Sequence, residues 1–278
     1  MQKIGIVGQG YVGTAVKTIF EKYYEIHTYD LDKNKSSCGS ISELVSDTDV
    51  IFICVPTPMN KDGSCNTNIV EDVIEKINFV GKDITVVIKS TISPGTTDGL
   101  NTKYNNVSSV FNPEFLTEAN FIDDFKNQNR IIIGGQRPAT TKVKQIYAKV
   151  LPKTKVIKTG STHAEMVKYM TNTFLATKVS FANEMKMICD KIDIDYDKVV
   201  EYATYDDRLG KSHWSVPGPD GKLGFGGSCF PKDLNALIDL CYEKSIKANT
   251  LFGAWETNLE VRPEQDWKEL KGRAVTEE

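Results

Sequence analysis

Short apolar segments rich in valine and isoleucine alternate with longer amphipathic segments over roughly the first 158 residues. This alternation predicts parallel strands joined by helices. Most of the short segments are apolar at every position rather than at every second position, which is typical of strands covered on both faces. The predicted strands are KIGIV (3–7), EIHTY (25–29), DVIFICV (49–55), ITVVIK (84–89), VSSVF (107–111), RIIIGG (130–135) and KVIK (155–158).

Beyond residue 160 the pattern changes to that of helices. Residues 164–192 contain neither Gly nor Pro, and Thr162 followed by Glu165 is a capping-box pattern that predicts a helix start. Apolar residues occupy most of the circumference of this helix, so we expect it to be buried between two bodies, such as two subunits. Further helices are predicted over 195–205, 230–244 and 248–260, with a loop rich in Gly and Pro over 208–228.

Together these elements predict an α/β fold, in which a Rossmann-like, doubly wound parallel sheet is followed by a long central helix and a small helical dimerisation domain. The length of 278 residues is sufficient for about two domains. We place the sheet domain at 1–160, the helical domain at 161–260 and a polar C-terminal tail at 261–278.

The charge balance argues against a polyanionic partner. The 34 Lys and Arg residues are offset by 37 Asp and Glu, the net charge is -3, and no basic run is present, so we expect no nucleic-acid binding. No segment approaches the length of uninterrupted apolar sequence that a membrane-spanning helix needs. The opening MQKIGIVGQGYVG lacks the pattern of a signal peptide. We therefore expect a soluble, cytoplasmic protein with no membrane partner.

The cysteines form no CxxC pair, which argues against both a disulfide framework and a zinc site. We expect reduced, mostly structural thiols and no bound metal. The cysteines are Cys38, Cys54, Cys65, Cys189, Cys229 and Cys241.

The first chemical motif is GQGYVG, residues 8–13, between a predicted strand and a predicted helix. Here Gly8 would permit a tight turn, Gly10 the approach of a pyrophosphate and Gly13 close packing of the helix, whose N-terminus favours phosphate. Asp30 ends the second strand, where a carboxylate would accept hydrogen bonds from ribose hydroxyls and repel a 2'-phosphate. The pattern favours NAD over NADP. The alternative is that these glycines serve only as turn residues.

Three further loops follow predicted strands at the carboxyl ends, where such sheets bind ligands. VPTP (55–58) and STISPGTT (90–97), taken alone, fit an ordinary loop better than a binding site. NPEFLTEA (112–119) contains Glu114 and Glu118. A carboxylate in a cleft could act as a base or bind a sugar, whereas on a loop it is usually only hydrated.

The segment LGFGGSCFPKD (223–233) places Cys229 after two glycines that would leave room for a bulky electrophile, and before Lys232 and Asp233. Hydride transfer to NAD needs no cysteine, so the thiol would have another role. A thiol activated by a nearby cation or a helix N-terminus adds to an aldehyde to give a thiohemiacetal, which can be oxidised to a thioester and hydrolysed to an acid. This chemistry would oxidise a primary alcohol by four electrons. The alternative is a buried structural thiol.

Lys168 and Asn172 lie four residues apart on the predicted long helix and therefore on one face. Such a pair could reach into a site and supply an oxyanion-stabilising cation. The alternative is a solvated lysine beside a helix-surface asparagine.

These residues carry a resemblance to a known family. Through GQGYVG, VPTP, STISPGTT, NPEFLTEA, EMVKYMTNTFLATKVSFANE and GFGGSCFPKD, residues 1 to about 260 resemble the UDP-glucose/GDP-mannose dehydrogenase family, most closely its UDP-glucose 6-dehydrogenases. The resemblance implies an NAD-dependent, two-step oxidation of the C6 hydroxyl of UDP-glucose to UDP-glucuronate. It also implies a homodimer built on 164–192, with Arg208 inserted into the neighbouring subunit's site.

The resemblance further assigns site residues. The implied catalytic residues are the nucleophile Cys229, Lys168 and Asp233 for the oxyanion and water, the base Glu114, and the supporting residues Thr91 and Asn172. The implied NAD-binding residues are Gly8, Gly10, Tyr11, Val12, Gly13, Asp30, Lys35, Pro56, Thr57, Thr91, Glu118 and Lys232. The implied UDP-sugar-binding residues are Glu114, Phe115, Leu116, Thr117, Glu118, Lys168, Asn172, Arg208, Phe225 and Gly226.

Two departures from the family leave alternatives open. The loop over 212–227 is longer than in many UDP-glucose enzymes, so His213 and Trp214 either contact nucleotide or pack within the loop. The family usually continues into a second Rossmann-like domain that binds UDP, whereas this sequence ends in VRPEQDWKELKGRAVTEE. The alternatives are therefore the same chemistry on UDP-N-acetylmannosamine or GDP-mannose, or a catalytically silent NAD-binding module. Hydroxyacid dehydrogenases of the 6-phosphogluconate type are a structural rival whose chemistry has no use for the thiol.

Overall fold

The computed structural model describes residues 2–277. Met1 and Glu278, which the predicted sheet domain and tail include, lie outside the described residues. The chain forms two compact units, Met1–Thr57 with Asn66–Lys168 and Pro58–Cys65 with Tyr169–Glu278. The division between the units lies inside the long helix rather than at its start.

The strands follow the predicted apolar segments closely. Within residues 2–277 the structure confirms all seven predicted strands. They are β1 (Lys3–Val7), β2 (Glu25–Tyr29), β3 (Val50–Ile53), β4 (Ile84–Ile88), β5 (Val107–Phe111), β6 (Arg130–Gly134) and β7 (Lys155–Thr159).

The strands form one sheet in the order β2-β1-β3-β4-β5-β6-β7. The predicted doubly wound sheet is confirmed and is mostly parallel, with one antiparallel pairing between β5 and β6 through Phe111 and Gly134. The connection between these strands contains only a short helix, Phe121–Asn127.

The helices lie between the strands in the first unit and dominate the second. Those predicted from the later part of the sequence are confirmed, with ends that agree within three residues. In the part of the chain that the structure describes, the α-helices are α1 (Tyr11–Phe20), α2 (Ile41–Asp47), α3 (Asn68–Phe79), α4 (Thr96–Lys103), α5 (Phe121–Asn127), α6 (Ala139–Val150), α7 (Ser161–Lys191), α8 (Tyr196–Ala203), α9 (Phe230–Glu243) and α10 (Asn249–Val261).

Both faces of the sheet are buried, as the continuous apolar strands predict. Along β3, Ile51 and Ile53 belong to one core cluster, together with residues of α2 and α3. Val50 and Phe52 belong to another, together with residues of α1 and α6. Successive side chains of a strand point to opposite faces, so a strand between two helical layers is apolar at every position.

The start of α7 differs from the predicted capping box. The helix begins at Ser161, and the Glu165 carboxylate accepts hydrogen bonds from the backbone N–H groups of Gly95 and Thr97 at the N-terminus of α4. Its other partner is the Thr97 hydroxyl, at 2.6 Å. Glu165 is fully buried and therefore needs these donors, which a capping box would not provide.

The segment predicted as a polar tail packs against the rest of the second unit. Trp267 is fully buried, with its ring centroid 5.3 Å from that of Trp255. Arg262 is also buried, and its guanidinium pairs with Asp220 and Asp266 at 2.7 Å each. The buried Trp267, the paired Arg262 and the backbone hydrogen bonds of Met59 with Ala274 and Thr276 hold this polar segment in place. Among the described residues, no helix is both long and apolar enough to cross a membrane.

Candidate active site

The glycine-rich turn of the first unit joins β1 to α1. Gly8 has a φ of +89°, and a Cβ there would lie 2.7 Å from the carbonyl oxygen of Cys54. A Cβ on Gly13 would overlap the Gly8 carbonyl oxygen. Gly10, the N-cap of α1, has no atom within 4 Å of the position its Cβ would take. The turn is therefore tightly packed on one side and open at Gly10, where the first amides of α1 are able to approach a phosphate.

Asp30 follows β2 and is tied to this turn. One of its carboxylate oxygens accepts a hydrogen bond from the Gln9 N–H at 2.6 Å, and the other accepts from the Asp32 N–H at 2.9 Å. Each oxygen retains a further lone pair. Asp30 is thus fixed beside the glycine-rich turn and remains able to accept ribose hydroxyls.

The other predicted cofactor residues of the first unit differ in exposure. Lys35 is exposed, with its ammonium 3.8 Å from Asp32. The Tyr11 ring lies 5.4 Å from the ring of Phe121. The buried members are Thr57 and Thr91, Val12 is partly buried, and the exposed members are Pro56 and Glu118.

The predicted base and cation of the first unit form a buried ion pair. The Lys168 ammonium lies 2.8 Å from a Glu114 carboxylate oxygen and donates to the Glu114 carbonyl at 2.7 Å. The second carboxylate oxygen accepts from the Leu116 N–H at 2.7 Å. Burial acts to raise the pKa of Glu114, but Lys168 and the other donors outweigh it and the pKa is lowered. Glu114 is therefore ionised at neutral pH. The alternative of a solvated lysine does not hold, since Lys168 is 3% exposed.

The predicted sugar-binding residues beside this pair line a cavity of about 300 Å³, together with Arg130. The Phe115 ring lies 5.6 Å from the Lys168 ammonium and 4.4 Å from the Arg130 guanidinium. The Thr117 hydroxyl donates to Asp124 at 2.6 Å. Leu116 also lines the cavity.

Lys89 is a candidate functional residue that the sequence reasoning missed. Its ammonium is buried and donates to the Asn112 side-chain oxygen at 3.1 Å, and the Tyr147 hydroxyl donates to the same oxygen at 2.5 Å. Burial lowers the pKa of Lys89 to about 8. The available signal was a lysine that ends an otherwise apolar strand, immediately before STISPGTT.

In the second unit, Cys229 is the N-cap residue of α9, and Pro231 lies in the first turn. The Cys229 sulfur is 3.9 Å from the Ser228 hydroxyl oxygen. The backbone carbonyl of Cys229 accepts a hydrogen bond from the Asp233 N–H at 3.0 Å. The thiol is therefore adjacent to the positive end of the α9 dipole, which favours a thiolate.

Lys232 and Asp233 form a second buried ion pair beside this cysteine, 2.5 Å apart. The other oxygen of Asp233 accepts from the Asn172 side-chain amide at 2.6 Å, so Asn172 is a buried partner and not a helix-surface residue. Burial acts to lower the pKa of Lys232, but Asp233, Cys229 and Cys65 outweigh it and the pKa is raised. The thiol is thus accompanied by an ammonium that stays charged at neutral pH.

The glycines before Cys229 have different environments. A Cβ on Gly226 would lie 2.6 Å from the Arg262 Cζ, whereas Gly227, with a φ of +71°, has no atom within 4 Å of that position. The expectation that both glycines leave room for an electrophile is therefore wrong for Gly226, whose space is filled by the chain's own arginine. Phe225 is buried, and Asn258 bonds both its N–H and its carbonyl, at 2.7 and 3.0 Å.

The remaining predicted residues lie in the loop before this segment. Arg208 is exposed, and its guanidinium pairs with Asp206 at 2.5 Å. Trp214 packs within the second unit, with its indole N–H donating to the Gly210 carbonyl at 2.8 Å and its ring 6.1 Å from the Phe181 ring. This arrangement favours the packing alternative for Trp214.

The chain matches two sequence models of one family. Residues 162–260 match the UDP-glucose/GDP-mannose dehydrogenase family, central domain, and residues 32–151 match the same family's NAD binding domain. The glycine-rich turn precedes the second of these ranges. The unit that contains the sheet is therefore identified as the NAD binding domain of that family.

Curated relatives and a solved structure agree with this match. The UDP-glucose 6-dehydrogenase of Rickettsia prowazekii is 35% identical over 77% of this chain and 50% of its own length. The UDP-glucose 6-dehydrogenase of Haloferax volcanii is 30% identical over 92% of this chain and 69% of its own length. A UDP-glucose dehydrogenase from the hyperthermophilic archaeon Pyrobaculum islandicum superposes with a TM-score of 0.85 and 29% identity, covering 94% of this chain and 68% of that one.

The chain thus spans about half the length of the Rickettsia relative. One assignment follows from the two domain matches within one family, the relative aligned over two thirds of its length and the shared fold. The chain belongs to the UDP-glucose/GDP-mannose dehydrogenase family.

Proposed function

We propose that this chain provides the cofactor-binding and thiol chemistry for the NAD-dependent, four-electron oxidation of the C6 hydroxyl of UDP-glucose to UDP-glucuronate. The observation that carries the proposal is the position of Cys229 at the N-cap of α9, with the ammonium of Lys232 in electrostatic contact. A thiol in that environment is suited to covalent catalysis rather than to core packing. Membership in the family supports the choice of reaction.

The first unit fits NAD. The open space at Gly10, the amides at the start of α1 and the fixed carboxylate of Asp30 would hold a pyrophosphate and a ribose. When bound, NAD would accept a hydride in each of the two oxidations. Asp30 would disfavour a 2'-phosphate, which supports NAD over NADP.

Cys229 would bind the aldehyde intermediate covalently. Its sulfur would add to the C6 aldehyde, forming a carbon–sulfur bond, while the carbonyl oxygen becomes the hydroxyl of a thiohemiacetal. After the second oxidation the carbon would be a thioester carbonyl. Attack by water would break the carbon–sulfur bond, release the carboxylic acid and return the thiol. Two oxidations of one alcohol by two electrons each account for four electrons.

The polar groups of the two ion pairs would assist these steps. Lys168 would stabilise the oxyanion, and Asp233, held by Asn172, would orient water. Glu114 is already ionised, the form that a base requires, and would accept a proton from the attacking water, with Thr91 holding that water.

The proposal is tested by the amount of NADH formed. Purified chain mixed with NAD and limiting UDP-glucose should produce two NADH for each sugar nucleotide consumed, and a ratio of one would exclude the double oxidation. Replacing Cys229 by Ser should abolish acid formation while NAD binding, measured by calorimetry, persists. The matched control is Cys241→Ser, a thiol later on the same helix, which should keep the parent stoichiometry.

Two alternatives remain distinct in the same assay. The family's own description includes GDP-mannose, so the chemistry could act on another sugar nucleotide such as GDP-mannose or UDP-N-acetylmannosamine. NADH formation with one of these, but not with UDP-glucose, would favour that substrate. NAD binding with no turnover of any sugar nucleotide would favour a silent NAD-binding module.

We also propose that the functional form is a homodimer built on α7. Met170 is 70% and Phe174 66% exposed on this helix, and Phe181 and Ile188 continue the same stripe. Contiguous exposed apolar surface of this kind marks interaction sites. In the dimer, the exposed Arg208 would reach the partner's site. Phe174→Glu should convert the dimer to a monomer in analytical ultracentrifugation, whereas Leu31→Glu, at an exposed leucine of the first unit, should not.

A further inference from the structure

A cluster of potential metal ligands lies in the first unit, away from the ion pairs described above. The ligand atoms of His27, Cys38 and Asp47 all lie within 4.8 Å of one another. The His27 Nδ1 is 3.9 Å from the Cys38 sulfur. Tetrahedral zinc bound to one nitrogen and one sulfur holds these two atoms about 3.6 Å apart, given its usual bond lengths. Within residues 2–277 no other group of His, Cys, Asp and Glu meets the same criterion.

A second carboxylate orients the histidine toward this cluster. The Glu25 carboxylate lies 3.0 Å from the His27 Nε2. Glu25 is exposed to solvent, where a carboxyl group is ionised at neutral pH and only accepts hydrogen bonds. The Nε2 therefore donates, and in the neutral ring Nδ1 is left with the lone pair that faces Cys38. A carboxylate on the outer nitrogen is the usual support of a metal-binding histidine.

The local backbone holds the ligands in place. His27 lies within β2, and the segment that follows the strand folds back along it, with the Cys38 N–H donating to the Thr28 carbonyl at 3.1 Å. The Ser37 hydroxyl accepts from the Thr28 N–H at 2.8 Å. Asp47 ends α2 and is exposed, while Cys38 is buried. Ligands from a strand, a turn and a helix end thus converge at one point that is open to solvent on the Asp47 side.

We propose that His27, Cys38 and Asp47 form a binding site for a divalent cation of the zinc type, with solvent as the fourth ligand. One imidazole, one thiolate and one carboxylate are a donor set that zinc accepts in tetrahedral geometry. No spacing motif such as CxxC marks this site in the sequence, because the three ligands come from three separate elements. The cation would join the edge strand β2 to α2 and stabilise the first unit.

Binding would be coupled to proton release. Without a cation, a cysteine thiol is mostly protonated at neutral pH. Only the thiolate binds metal, so each cation bound would release a proton and the affinity would increase with pH.

The test uses cobalt as a spectroscopic substitute for zinc. Titration of the full chain with Co²⁺ should give one equivalent of bound metal, with a thiolate-to-cobalt charge-transfer band in the near ultraviolet and intense ligand-field bands typical of four ligands. Both features should disappear in Cys38→Ser and persist in Cys241→Ser and Cys229→Ser. Persistence in Cys38→Ser, or no charge-transfer band in the parent, would overturn the proposal.

Two further variants test the site with less risk of misfolding than Cys38→Ser, which changes a buried residue. Asp47→Asn changes an exposed side chain and should weaken Zn²⁺ binding, measured by competition with a chromophoric chelator. Glu25→Gln leaves all three ligands intact and should weaken Zn²⁺ by about 10- to 100-fold through loss of the supporting carboxylate. Glu21→Gln, an exposed carboxylate at the end of α1, should leave the affinity unchanged. Equal affinities in the parent and in Glu25→Gln would contradict the assigned histidine geometry.

Discussion

Among the residues that the structure describes, each unit contains one buried lysine–carboxylate pair, and the two pairs differ in what surrounds them. Lys168 and Glu114 lie 2.8 Å apart in the first unit, and Lys232 and Asp233 lie 2.5 Å apart in the second. The first pair has a second ammonium, that of Lys89, in electrostatic range. Thiols lie near both pairs, since Cys54 interacts with Lys89 and Glu114 in the first unit, and Cys229 and Cys65 act on Lys232 in the second.

The difference shows that burial alone does not decide whether a lysine keeps its proton. Burial is the largest influence on both Lys89 and Lys232, and in both it acts to lower the pKa. In the first unit burial outweighs the opposing influence of Cys54 and Glu114, and Lys168 adds to the lowering, so the pKa of Lys89 falls to about 8. In the second, one carboxylate and two thiols raise the pKa of Lys232. The first unit therefore holds a lysine with a labile proton, and the second a permanent cation beside a nucleophile.

The largest effect is expected from breaking the first pair. Lys168→Met should lower the free energy of unfolding by about 4 kcal/mol, because it leaves the Glu114 carboxylate buried without its counter-ion. Urea denaturation of the parent and variant measures the loss.

The control is the double variant with Glu114→Gln, which removes both charges. Its stability should return to within about 1 kcal/mol of the parent, since replacing a buried pair by neutral groups of similar size is often neutral. A double variant as unstable as Lys168→Met alone would show that packing of the lysine stem, and not charge pairing, is responsible.

Because Lys89 has a lowered pKa in the folded chain, the free energy of unfolding should depend on pH. With a pKa of about 8 in the folded chain and about 10.4 when unfolded, the unfolded state binds more protons between these values. Stability therefore rises with pH in this window, and the gain for this group is of order 3 kcal/mol.

Lys89→Met isolates this contribution, since the Tyr147 and Asn112 side chains remain bonded to each other. Denaturation midpoints of parent and variant should converge as pH rises from 8 toward 10. Parallel curves would show that Lys89 keeps its proton throughout and that its burial does not lower its pKa.

The two units also differ in the space around their glycines. Gly226→Ala in the second unit should cost about 2 kcal/mol of stability, because its Cβ would meet the buried guanidinium of Arg262. In the first unit Gly10→Ala should leave stability unchanged but weaken NAD binding about tenfold, equivalent to about 1.4 kcal/mol. Urea denaturation and NAD calorimetry on both variants separate the two roles. Equal losses of stability would contradict the distinction.

The sequence predicted the sheet well because its signals are local. A strand between two helical layers is apolar at every position, and this is visible in VIFI of β3 without knowledge of its neighbours. The start of α9 was equally local, since Pro231 suits a first helical turn. The family motifs likewise identified Cys229, Lys232 and Asp233 as a group, and these residues are consecutive or nearly so.

What the sequence did not reveal depends on partners that are distant in the chain. Glu165 matched a capping box, yet its donors are at Gly95 and Thr97. Gly226 was interpreted as an opening for substrate, although its space is filled by Arg262. The burial of Trp267 and the pairing of Lys89 were missed for the same reason. Composition and spacing describe a residue's neighbours along the chain, whereas burial and pairing are decided by neighbours in space.

The smallest expected effect concerns the permanent cation of the second pair. Lys232→Gln should slow alkylation of Cys229 by iodoacetamide about threefold, because losing the ammonium reduces the thiolate fraction while the remaining thiolate is more nucleophilic. Peptide mass spectrometry follows the modification of Cys229 separately from the other thiols. The matched control is Lys222→Gln, whose ammonium pairs with Glu264 and Asp266 and should not affect the rate. If Lys232→Gln is alkylated as fast as the parent, the α9 N-terminus alone sets the reactivity of this thiol, and the second pair serves to hold Asp233 rather than to activate the nucleophile.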